Sequence, residues 1–226
     1  MQFFSYLING ISLGSVYALI ALGYTMVYGI AKMLNFAHGD VIMIGSYVVY
    51  FAFGASGLNP VLSIVLSMIV CTILGVVIER LAYRPLREAP SLAVLITAIG
   101  VSYLLQQVAQ LSWSSNPKSF TSVVSGMKPV SLFGGQLTIS AETIVTIVAC
   151  VVIMVVLMWF VNYTPAGHAM LAVSEDRGAA QLMGVNVNGT ISLTFAIGSA
   201  LAAIAGALLC SSYPTLQPTT GAMPGI

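Results

Sequence analysis

Six stretches of this chain are strongly apolar: residues 3–28, 36–53, 60–78, 91–113, 141–161 and 190–210. A hydrocarbon layer about 30 Å thick takes roughly 20 apolar residues in a helix, and every backbone N–H and C=O inside it must be satisfied within the protein. Runs of this length in this number predict an all-α, polytopic membrane bundle of about six transmembrane helices, formed by residues 1–226 as a single domain. Charge agrees with that reading, since 6% of the residues are charged against about 25% in a soluble domain. A net charge of +1 offers no footprint for nucleic acid. Cys71, Cys150 and Cys210 lie inside apolar runs at spacings that suit neither a metal nor a disulfide framework, so buried packing and no metal site are expected. The N-terminal Met1-Gln2-Phe3-Phe4 carries no basic residue, and the first run therefore reads as a retained membrane helix.

Topology follows from the arginines. Arg80, Arg84 and Arg87 crowd one short connection, which belongs in the cytoplasm by the positive-inside rule. Alternation then puts the N-terminus outside, residues 114–140 in an extracytoplasmic loop, and residues 163–188 in the cytoplasm. Within the outer loop, Val130–Phe133 and Gln136–Ile139 flank Gly134-Gly135, a pattern that predicts a β-hairpin. Small residues at four-residue spacing (Gly10, Gly14, Ala18 and Gly198, Ala202, Gly206) predict faces where helices approach closely. The first and last runs both begin near an Asn-Gly followed by Ile-Ser-Leu, which suggests an internal repeat.

The cytoplasmic loop carries one short helix signal. Ser174 is expected to cap it, Glu175 and Asp176 to sit at its positive end, and Gly184 to end it in the left-handed conformation. About three turns cannot cross a bilayer, so this piece stands outside the membrane as a contact surface, with Ala179 and Ala180 leaving room for a partner. A second polar group, Asn35, His38, Gly39 and Asp40, interrupts two apolar runs. It fits a helix break at the mouth of a translocation path, and equally an ordinary loop with Lys32 and Asp40 in water. Catalytic patterns such as HExxH, GxSxG and CxxC are missing from the sequence, and no enzyme is expected. The lysines, Lys32, Lys118 and Lys128, follow no phosphate-loop pattern, so ATP, if it drives the protein, belongs to a partner. An ion-coupled transporter is the rival, with Asp40 as its one candidate coupling carboxylate.

Three motifs carry a resemblance. Gly14–Gly29 followed by Leu34-Asn35-Phe36-Ala37-His38-Gly39-Asp40 resembles the opening of the branched-chain amino acid ABC transporter permeases, most closely the H-type subunit. Glu79-Arg80 with Tyr83-Arg84-Pro85 resembles the family's first arginine loop. Glu175–Asn186 resembles its coupling loop, and Leu193–Gly198 the start of its next helix. The resemblance implies a permease in a bacterial inner membrane that works with two ATPase subunits, a second permease that is a paralogue, and a periplasmic binding protein. It implies that Glu175, Asp176, Arg177, Ala179, Ala180, Leu182, Met183 and Gly184 couple to the ATPase, and that Asn35, Phe36, His38, Gly39 and Asp40 line the path. Branched-chain amino acids are the implied cargo, with urea, short amides or another small amino acid as alternatives. Two departures stand out: His168, Met170 and Leu171 occupy positions that are usually basic, and Asn188-Gly189 replaces an acidic-basic pair. Family members also continue through further helices beyond the point where this chain stops, which suggests a truncated product.

Overall fold

A computed structural model of the chain describes residues 2–87, 89–124, 130–132 and 137–221. Eight α-helices are described: α1 (Gln2–Ala31), α2 (His38–Val49), α3 (Pro60–Ile78), α4 (Ser91–Trp113), α5 (Ala141–Tyr163), α6 (Pro165–Glu175), α7 (Arg177–Leu182) and α8 (Val187–Ser212). Five stretches are long and apolar enough to cross a membrane, and they contain α1, α3, α4, α5 and α8. Local chemistry explains where they begin. Asn59 accepts a hydrogen bond from the Val61 N–H at 3.0 Å, and Pro60 fills the first position of α3, where a missing N–H does no harm. Ser140 Oγ accepts from the Thr143 N–H and starts α5 in the same way.

The run 36–53 behaves differently from the other five. Its α-helix has 12 residues, about 18 Å of rise, and continues as a π-helical turn over Tyr50–Ala55. Lys32 adopts a left-handed backbone (φ 50°), which ends α1. The chain then runs back into the bundle, and the His38 ring packs against Gly23 of α1. Gly23 lies eight residues before the end of α1, so α2 begins about 12 Å in from that end. This helix is enclosed: ten of its residues, His38 to Asp40 among them, are buried.

The bundle is built around α8. Of its apolar stretch 72% is buried, against 11% for α5. Ala202, Ala203 and Ala205 are fully enclosed, and Gly206 lets α2 approach until the Ile42 carbonyl would stand 2.5 Å from an added Cβ. Leu19, Ile42, Cys71, Ile191 and Phe195 fill the space between the helices. Cys71, Cys150 and Cys210 are all free and buried.

Two small sheets close the other end. β2 (Val130–Leu132) and β3 (Leu137–Ile139) pair antiparallel with Ser131 opposite Thr138, which is the predicted hairpin. Its glycine turn lies outside the described residues. β1 (Lys118–Ser119) pairs with β4 (Thr215–Leu216), tying the outer loop to the segment after α8. That segment then turns inward until Gly221 meets the Gly39 carbonyl at the start of α2.

Candidate coupling surface and polar core

The connection between α5 and α8 folds as two helices, which corrects the single capped helix expected from Ser174. Thr164 starts α6: its Oγ1 accepts from the Gly167 N–H at 3.0 Å and donates to the Phe160 carbonyl. Ser174 lies inside α6 and donates to the Leu171 carbonyl at 2.7 Å, so it caps nothing. Glu175 is the last residue of α6 and therefore sits at a negative helix end, not a positive one. Asp176 is the residue that breaks and restarts the chain. Its backbone is extended (φ −147°, ψ 115°), and its Oδ1 accepts from the N–H groups of Gly178 (2.7 Å) and Ala179 (3.0 Å). Gly184, at φ 84°, ends this connection as expected.

Exposure separates the residues of α7 by role. Ala180 points inward and is 4% exposed, so it packs the core and leaves no room for a partner. Ala179 lies on the open face. Leu182 and Met183 are 90% and 84% exposed. Two large apolar side chains on a short connection, touching almost nothing, form a knob suited to a socket on another protein.

Behind this knob, Arg177 ties α7 to the bundle and Arg87 ties the arginine loop to α8. Arg177 donates from Nη2 to the Ala31 carbonyl at the end of α1. Burial, and then the neighbouring Arg87 charge, hold the Arg177 guanidinium below its ordinary pKa. Arg87 donates to the Glu79 carboxylate and to Asn188 Oδ1. Glu79 is completely buried and also accepts from Ser192 Oγ at 2.6 Å. One carboxylate thus joins the connection after α3, the arginine loop and the first turns of α8. Sequence reasoning placed Glu79 only in the arginine-loop motif and gave Ser192 no role. The available signal was the apolar run of α3, which continues unbroken into Glu79 and so carries it inward.

The five residues expected along the path each pack against a different neighbour. Asn35 accepts from the Tyr83 hydroxyl at 2.9 Å. His38 stacks edge-on to Tyr24, and its Nε2 is buried with no partner among the described residues. Gly39 meets the segment after α8, and Phe36 lies partly buried against the core. Asp40 is 1% exposed and accepts from Gln106 Nε2 at 2.9 Å. The carboxylate also lies in the first turn of α2, where the helix dipole favours it. These residues lock the deep start of α2 to four neighbouring elements. Among the described residues, no group of three or more His, Cys, Asp or Glu side chains is placed to hold a metal.

A family model described as "Branched-chain amino acid transport system / permease component" matches residues 6–226. This chain belongs to that family. Among its relatives, the permease protein BraD of the Pseudomonas aeruginosa high-affinity branched-chain amino acid transport system is 42% identical, over 97% of this chain and 75% of its own length. The corresponding LivH proteins of Salmonella typhimurium and Escherichia coli are 40% and 39% identical, each over 100% of this chain and 76% of their own length. The relatives are transport permeases, not enzymes. No solved structure matches this branched-chain permease sequence.

Proposed function

We propose that this chain is the membrane-spanning permease subunit of an ATP-binding cassette importer for branched-chain amino acids in a bacterial inner membrane. The observation that carries the reading is the 39–42% identity to high-affinity branched-chain permeases across 97–100% of the chain. Energy then comes from separate ATPase subunits, two by analogy with the family. They dock on residues 163–188 with Leu182 and Met183 as the anchoring knob. A paralogous permease completes the membrane part, and a periplasmic binding protein delivers the cargo. Residues 163–188 and the arginine loop occupy one end of the bundle, linked through Arg87 and Asn188. The arginines favour the cytoplasm for that end, which leaves the N-terminus outside.

ATPase closure pushing on α7 would reach the bundle through Arg177 at α1, while the adjacent Arg87–Glu79–Ser192 group holds the arginine loop to α3 and α8. The helices that these contacts join are the ones that enclose α2. A push on the knob thus has a rigid route to the polar helix start deep in the bundle.

The test is uptake of labelled leucine by the assembled importer, with Leu182→Asp and Met183→Asp introduced together. The expected result is loss of uptake and loss of the ATPase from the purified complex, with the permease still inserted. Normal uptake by this variant would overturn the docking assignment. Leucine uptake that persists when ATP is depleted would overturn the importer reading itself.

A further inference from the structure

Lys32, Arg87 and Arg177 belong to three separate connections, yet they line one cavity of about 340 Å³ at the α7 end of the bundle. They are three of the seven lysines and arginines in the chain. Among the described residues, compensation inside the cavity is thin. Glu79 pairs with Arg87, Arg177 holds a backbone carbonyl, and Lys32 makes no ion pair among the described residues. The first turn of α4 adds to the positive potential, because Pro90 stands at its cap position and provides no side-chain acceptor. Beside these cations the wall changes character: Tyr28, Val94 and Leu95 present aromatic and aliphatic surface.

A zwitterionic amino acid would place its ammonium group among three cations. A phosphate ester with hydrocarbon attached has no such conflict, and it matches both halves of the lining. We infer that this cavity binds the phosphate of an anionic phospholipid headgroup. Basic pockets between transmembrane helices on the cytoplasmic side are suited to this chemistry. The bound phosphate bridges the connection after α1, the arginine loop and α7, so a lipid becomes part of the joint between the coupling surface and the bundle. Binding does not depend on which cargo the permease carries.

The full chain, delipidated in a neutral detergent, is titrated with dioleoylphosphatidylglycerol, dioleoylphosphatidylcholine and inorganic phosphate and read by native mass spectrometry. One phosphatidylglycerol should be retained in strong preference to phosphatidylcholine. Lys32→Gln should weaken its retention about fivefold, and Lys32→Arg should restore it. Among the described residues Lys32 makes no side-chain bond that its replacement would break, and a thermal melt of Lys32→Gln checks that the fold is kept. Arg80→Gln, exposed and outside the cavity, should change nothing. Equal retention of both lipids, or equal losses in Lys32→Gln and Arg80→Gln, would overturn the site. Displacement of phosphatidylglycerol by an equal concentration of inorganic phosphate would overturn the lipid and leave a free-anion site.

Discussion

Removing Arg87 and removing the charge of Glu79 should have unequal effects, and the structure says which is worse. Glu79 is fully enclosed, while the Arg87 side chain is 12% exposed and also bonds Asn188. Arg87→Met therefore leaves a buried carboxylate with one remaining partner, Ser192. Stranding a buried charge in this way costs about 3–5 kcal/mol. Glu79→Gln strands nothing comparable: the amide oxygen still accepts a hydrogen bond, and the guanidinium keeps Asn188 and some water. Its cost is that of weakening charge-assisted hydrogen bonds, about 1.5–3 kcal/mol. With about 2–4 °C per kcal/mol for a chain of this size, Arg87→Met should lower the Tm by about 6–20 °C and Glu79→Gln by less. The double variant should fall well short of the sum, since each change removes the reason for the other's penalty. Thermal unfolding in one detergent, followed by loss of the monodisperse peak, gives all three values. The reasoning fails if Glu79→Gln is the worse single variant, or if the two effects simply add.

Further outcomes can be read on the same purified protein. Gly206→Ala should destabilise by about 1–3 kcal/mol, because its Cβ would meet the Ile42 carbonyl, whereas Gly14→Ala meets nothing and should be neutral or slightly stabilising in a thermal melt. Ala180→Trp should disturb folding by overfilling a buried site, while Ala179→Trp should melt normally and fail to retain the ATPase in a pull-down. Asp176→Ala should cost about 0.5–2 kcal/mol through the lost cap of α7, with Asp176→Asn recovering most of it by the same thermal assay. Asp40→Asn keeps an oxygen for Gln106 and should preserve labelled-leucine uptake; loss of uptake with the fold intact would favour an ion-coupled mechanism.

Much of the architecture was legible because the bilayer constraint acts on sequence directly. The boundaries of α3 and α4 coincide with the expected runs 60–78 and 91–113, since Pro60, Pro90 and Trp113 mark them in the chain itself. The depth of α2 was not legible. An apolar run of 18 residues looks like a span, and only the contact of His38 with Gly23 shows that it begins inside the bundle. The same limit applies to the small-residue stripes. Gly206 is packed against a backbone and Gly14 against nothing, although their sequence contexts are alike. In the coupling loop, Ser174 and Asp176 both have side chains able to cap. The choice between them depended on where α6 ended, and the extended backbone of Asp176 sets that point.

The enclosure of α2 by α8 also bears on how the protein is made. α2 leaves the ribosome early, after α1 but well before α8. At about 5–20 residues per second, the stretch from Val49 to Ser212 takes on the order of ten seconds to emerge. Throughout that interval α2 has α1 beside it but lacks α8, the helix that packs most extensively against it. Production of this permease is thus sensitive to whatever delays α8, and a slow codon cluster or a pause before residue 187 should send more of the chain to membrane proteases than the same delay placed after residue 212.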